Sequence, residues 1–175
     1  NVASATADKI RANSEIADLS LAMGCGTRKD CDPEQLRYDR IIIMTDADVD
    51  GMHIRNLLLT YFLNYFEPLV FRSHLYILET PLFRVRNKQE ARYCYSEEQR
   101  DEAVAALRGA EVTRFKGLGE INASEFGQFI NGDSHLLAVS LGSMGEAKKS
   151  LEFFMGRNTP ERRVFIMKNL IHDAI

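Results

Sequence analysis

Apolar and polar positions along this chain follow two periods, and the change from one to the other falls at a single point. From Ile41 to Met44 every residue is apolar and three are β-branched, which predicts a buried strand of a parallel sheet. A few residues later Ile54, Leu57, Leu58, Tyr61, Phe62, Tyr65 and Phe66 recur at i, i+3, i+4 spacing, which predicts a long helix. Between the two lie Asp46, Asp48 and Asp50, at every second position.

Upstream, residues 1 to 23 read as helical, with Ser14 as N-cap and an apolar stripe of Ile16, Leu19, Leu21 and Met23. Gly24-Cys25-Gly26-Thr27 stops that helix, and Asp32-Pro33 starts a short one, with the aspartate as cap and the proline at the first position. Downstream, Leu75 to Leu78 reads as a strand. Leu82 to Arg86 and Ala91 to Tyr95 read as a hairpin turning at Asn87-Lys88-Gln89-Glu90. Ser96-Glu97-Glu98-Gln99 is a capping box for a helix that Gly109 ends, and Val112 to Phe115 is a further strand. Beyond it come a short helix capped by Asn122 with Glu125, and a turn at Asn131-Gly132-Asp133. A strand within 136–141, a helix from Glu146 to Met155 and a final helix from Thr159-Pro160 complete the chain.

Strand, acidic turn and helix is the arrangement in which open α/β sheets place ligands, outside the carboxyl ends of their strands. Carboxylates crowded there repel one another unless cations lie between them, so a divalent metal is the first chemical expectation. Asp46 begins an Asp-x-Asp-x-Asp-Gly run, but an EF-hand needs a glutamate at the twelfth position, and Leu57 stands there. An aspartyl-phosphatase of the haloacid-dehalogenase type would also follow a strand with Asp-x-Asp. Its later acidic cluster is matched only by Gly132-Asp133, with Leu137 where the second aspartate belongs. The plain alternative is that the aspartates cap the helix. Asp50 is placed to accept from the amides of Met52 or His53, but one cap explains one aspartate, not three.

Composition changes this picture little. A chain of 175 residues, 45% hydrophobic and 27% charged, can bury one good core, or a domain plus an appendage. No apolar stretch reaches the length of a membrane helix and no signal-peptide pattern opens the chain, so no membrane partner is expected. The three cysteines form neither a disulfide framework nor a Cys-x-x-Cys pair, which suits a reducing cytoplasm. A net charge of −3 does not by itself suggest nucleic acid. Arg84, Arg86, Lys88 and Arg92 read as a solvated hairpin edge rather than a phosphate-binding face.

Thr45-Asp46-Ala47-Asp48-Val49-Asp50-Gly51-Met52-His53-Ile54-Arg55 resembles the acidic motif of the TOPRIM domain in the B subunits of bacterial type IIA DNA topoisomerases. Thr80-Pro81-Leu82-Phe83-Arg84-Val85, Arg114-Phe115-Lys116-Gly117-Leu118-Gly119-Glu120, and Met155-Gly156 with Pro160-Glu161-Arg162-Arg163 resemble further stretches of that family, in order. Met52 and the run from Arg84 to Lys88 lean toward the topoisomerase IV branch rather than gyrase. The resemblance implies an α/β fold: a Rossmann-like TOPRIM domain with a parallel sheet flanked by helices over residues 1–121. A small C-terminal α+β tail over 122–175 would pack on it.

The family's earlier Glu-Gly-Asp-Ser-Ala stretch has no counterpart here. The expectation is therefore a domain truncated at its N-terminus and without that catalytic glutamate. The resemblance further implies magnesium, with manganese or calcium able to substitute, on Asp46, Asp48 and, less strongly, Asp50. DNA contacts are implied at Asn1, His53, Lys116, Arg162 and Arg163. The implied partners are DNA, a tyrosine-bearing A subunit in a heterotetramer, and an N-terminal ATPase region that binds ATP in the full-length protein. The implied place is the bacterial cytoplasm, near the nucleoid. Two other classes stay open: a non-enzymatic DNA-binding or assembly module, and a metal-dependent nuclease or phosphatase built on Asp-x-Asp.

Overall fold

The computed structural model describes residues 1–130 and 135–170. The expected turn at Asn131-Gly132-Asp133 lies outside the described residues, as does the Gly132-Asp133 match to the phosphatase cluster. The elements are α1 (Ala7–Arg11), α2 (Ser14–Met23), β1 (Ile41–Ile43), α3 (Val49–Tyr65), α4 (Glu67–Phe71), β2 (Leu75–Leu78), β3 (Phe83–Arg86), β4 (Ala91–Cys94), α5 (Glu97–Ala106), β5 (Glu111–Arg114), α6 (Ala123–Ile130), β6 (Leu136–Ala138), α7 (Met144–Met155) and α8 (Thr159–Lys168). The fold is mixed α/β, as expected. Two compact units share the chain, and the change between them falls inside α3.

The first unit takes residues 1–39, 57–74 and the chain from Ser140 onward. Its core is the second half of α3 with α4: Tyr61, Phe62, Phe66, Leu69 and Val70 are each no more than 2% exposed. Tyr61 and Phe62 meet Phe66 with ring centroids 5.3 and 5.6 Å apart. The Tyr61 hydroxyl hydrogen-bonds the Ser20 hydroxyl of α2 at 2.6 Å, which satisfies the one polar atom of a buried ring. The expected N-terminal helix is two helices. Asn13, not Ser14, caps the second, its side chain accepting from the Ile16 amide, and Gly24 closes it at φ 71°. Asp32 caps the short turn beginning at Pro33, as predicted. Cys25 and Cys31 are buried free thiols, and desolvation pushes the Cys31 thiol up to about 12.

The second unit takes residues 40–56 and 75–139. Here β1 and β2 are parallel, with Ile41 opposite Leu75, and β6 joins the other side of β2 in antiparallel sense. Among the described residues the parallel pairing is confined to β1 and β2. A second sheet, in the order β4-β3-β5, is wholly antiparallel. Helix α5 covers it, with Ala103 and Leu107 packed on Phe83, Val85 and Cys94. The capping box that begins α5 forms as expected, Ser96 accepting from the Gln99 amide.

The hairpin arginines are a correction. Because β3 is the central strand, Arg84 is not solvated: its side chain is 12% exposed and pairs with Glu125 on α6. Arg86 and Arg92 pair with Glu111 and Glu90 on the surface.

Candidate functional site

The three aspartates lie between the end of β1 and the first turn of α3, all exposed to solvent. Asp46 is gripped from two sides. The Leu118 amide donates to its Oδ1 at 2.7 Å. Gly117 lies so close that a Cβ there would come 3.1 Å from the same oxygen. From the other side α3 presses on its backbone, since a Cβ at Gly51 would fall 2.1 Å from the Asp46 carbonyl oxygen. No side chain fits at that distance, so Gly51 is required by contact alone. The anion that approaches Gly117 is the Asp46 carboxylate.

Asp48, not Asp50, is the helix cap. Helix α3 begins at Val49, two residues earlier than a cap at Asp50 would place it. The Asp48 carbonyl therefore accepts the first helical bond, from Met52 at 3.0 Å, while its Oδ1 accepts the Gly51 amide at 2.7 Å. Asp50 sits within the first turn, where its charge favours the positive end of the helix dipole.

Two clefts flank the acidic loop. One of about 220 Å³ is lined by Asp46 with Thr45, Arg55, Glu79 and Tyr95. The other, of about 400 Å³, is lined by Asp48 with Glu97, Arg114 and Lys116. Ala47, between Asp46 and Asp48, lines both clefts. Among the described residues no three His, Cys, Asp or Glu side chains form a group that could hold a metal ion. Asp46 and Asp48 each use one carboxylate oxygen on a backbone amide and keep the second. Few carboxylate oxygens plus water is the donor set of a hydrated hard cation, and it fits magnesium better than a closed cage.

Comparison with known proteins bears on the same segment. Residues 3–80 match the Toprim domain, and residues 108–167 match the carboxyl terminus of the DNA gyrase B subunit. The chain carries the Toprim region of the type IIA topoisomerase B-subunit family. It is 54% identical over 165 residues to the B subunit of DNA topoisomerase 4 from Borreliella burgdorferi, covering 93% of this chain and 27% of that protein. It is 39% identical to the B subunit of DNA gyrase from Archaeoglobus fulgidus, over 95% of this chain and 27% of the relative. For the Thermotoga maritima gyrase protein the figures are 38%, 98% and 28%. The chain therefore spans little more than a quarter of the length of these relatives.

The other expected site residues of this Toprim chain divide between its units. His53, in α3, and Lys116 belong with the aspartates, and both are exposed. Asn1, Arg162 and Arg163 belong to the other unit. There the Asn1 side chain donates to the Met155 carbonyl at 2.8 Å and holds the start of the chain to the end of α7. Arg162 donates to the carbonyls of Phe154 and Asn158, where it caps α7, whereas Arg163 stands exposed. Sequence reasoning missed Gly51, the Leu118 amide, and Arg55, Glu79 and Arg114 in the clefts. The Asp-Gly and Lys-Gly-Leu-Gly motifs pointed to the first two; no local signal marked the rest.

Proposed function

We propose that this chain supplies the metal-binding Toprim part of an ATP-dependent type IIA DNA topoisomerase. In that enzyme it would support double-strand cleavage and religation with a tyrosine-bearing A subunit. The observation that carries the reading is Asp46, its carboxylate aimed by the Leu118 amide and approached by Gly117, and its backbone approached by Gly51, so that a side chain at either glycine would displace it. Asp46 and Asp48 are the carboxylates that would hold the ion, magnesium by preference with manganese or calcium as substitutes, and Asp50 adds negative potential. The chemistry supplied by a divalent ion held by Asp46 and Asp48 would be polarisation of a phosphate oxygen and stabilisation of the leaving oxygen.

The remaining roles belong to the chain's own side chains. Lys116 and Arg114, on the Asp48 side, offer positive charge to a phosphate. His53, at the start of the second turn of α3, offers a ring N–H. Arg163 is the better candidate of its pair for DNA, because Arg162 is committed to the carbonyls of Phe154 and Asn158. For the same reason Asn1 would reach DNA only by releasing Met155. No described helix is long and apolar enough to cross a membrane. The reading places the protein in the bacterial cytoplasm with the nucleoid, and assigns ATP to the full-length protein.

Calorimetric titration with magnesium and manganese tests the site. Asp46→Asn and Asp48→Asn should abolish binding and Asp50→Asn should weaken it less; loss on Asp50→Asn alone would refute the assignment. The nuclease alternative has its own check. The chain alone, incubated with supercoiled plasmid and manganese, should leave it intact, and nicking that Asp46→Asn removes would establish an autonomous nuclease.

A further inference from the structure

The loop that grips Asp46 is anchored at both ends, and a largely buried ion pair, Arg84 with Glu125, lies behind the anchors. Phe115 is 4% exposed and donates its amide to the Leu82 carbonyl at 2.9 Å, while Ile121 is 8% exposed. The two share a cluster with Tyr93 and Phe126. Between them Lys116 donates its amide to Glu120 at 2.9 Å and Leu118 donates to Asp46. Just past the second anchor Glu125 accepts from the Asn122 amide at 3.3 Å, the Tyr93 hydroxyl at 3.0 Å and the Arg84 guanidinium at 2.5 Å.

Arg84 reaches to the other end of the same loop. Its Nη2 donates to Thr113 at 3.4 Å, and its guanidinium lies over the Phe115 ring, 5.8 Å from the centroid. Its Nε is buried without a hydrogen-bond partner. As a source of stability this is a poor arrangement. Two charges have left water, one nitrogen is unsatisfied, and a well-packed apolar pair would stabilise the fold as much or more. What the pair supplies is direction, since it ties β3, β4 and β5 to the first turn of α6 across the root of the 116–120 loop.

We propose that Arg84 and Glu125 are positioning residues for the metal-binding carboxylate, holding residues 115–121 so that the Leu118 amide meets Asp46. The inference rests on the metal reading of Asp46. Groups that orient a metal ligand without touching the metal typically change affinity by about ten- to a hundredfold when lost.

The test is the volume-matched double variant Arg84→Met/Glu125→Leu. The readouts are melting temperature in chelator, hydrogen exchange of the Leu118 amide, and manganese affinity by water-proton relaxation. The melting temperature should shift by no more than a few degrees, Leu118 exchange should accelerate, and manganese affinity should fall about tenfold. Arg84→Lys should recover part of both losses. Leu107→Ala, which opens the core beneath α5 away from the loop, should lower the melting temperature yet leave manganese affinity in place. If the double variant does not fold, Tyr93→Phe, which removes one bond to Glu125, carries the same readouts with smaller changes. Unchanged Leu118 exchange and affinity in a folded variant would overturn the positioning role, as would Leu107→Ala moving both equally far. A wild-type chain that binds no manganese would instead defeat the metal reading, leaving Leu118 exchange to report whether the pair holds the loop on Asp46.

Discussion

The two halves of α3 are held by different physics. From Thr60 to Leu63 the helix is buried, its rings packing on one another and on Phe66, with the Tyr61 hydroxyl satisfied by Ser20. At the other end Val49, Met52 and Ile54 are 73%, 42% and 51% exposed. Little apolar burial anchors that end; a side-chain cap at Asp48 and one backbone contact at Gly51 define it. Apolar packing tolerates substitution in proportion to the volume removed, whereas a contact at 2.1 Å to a backbone oxygen tolerates none. The core half therefore controls whether the chain folds, and the acidic half controls where one carboxylate points.

Phe66→Ala should cause the largest loss, about 3–5 kcal/mol, read by denaturant unfolding, because the ring is fully buried. Gly51→Ala should cost about 1–3 kcal/mol, since a Cβ there overlaps backbone that cannot rotate away. Unlike the first change, it should also alter metal binding. A loss of stability without any change in manganese affinity would erase the distinction between the halves.

Acid should act on the loop's support. Burial pushes the Glu125 carboxyl up, but Arg84, Tyr93 and the Asn122 amide outweigh it and hold it below its ordinary value of 4.5. Its contribution is present above that value and lost as pH falls through the lower folded value. Glu125→Gln should flatten that part of the acid unfolding curve, and an unchanged curve would show that the pair does not favour the charged form. The smallest effect separates the two roles of Asp48. In chelator, Asp48→Ala should lose about 1 kcal/mol as a broken cap, and Asp48→Asn much less, because asparagine caps as well. Both should lose the metal.

Much of the fold was legible locally. The β-branched run forms β1, residues 75–78 form β2 with the expected bounds, and Ser96 begins α5 where its capping box predicts. The errors share a cause. Ser14 as cap, and Asp50 as the alternative cap, follow from each preceding a helical pattern, but the helices begin at Ser14 and Val49, so Asn13 and Asp48 are the residues left outside. A shift of one or two residues exchanges cap and first-turn positions, and periodicity over several turns does not resolve it. Arg84 was misread because whether a strand is central or at an edge depends on pairing with residues far along the chain, here Thr113 on β5.

By itself the sequence determined that a strand, an acidic turn and a long helix follow one another, and that the carboxylates gather at their junction. Periods of two and 3.6 residues are properties of backbone geometry and are written into neighbouring positions. Only the tertiary structure decided that Asp46 is the gripped carboxylate, that Asp48 is the cap, and that Gly51 and Gly117 serve the same residue, one at its backbone and one at its side chain. Those assignments depend on distances between atoms up to 72 residues apart in the chain. A contact at that separation exists only once the sheets and helices around it have packed.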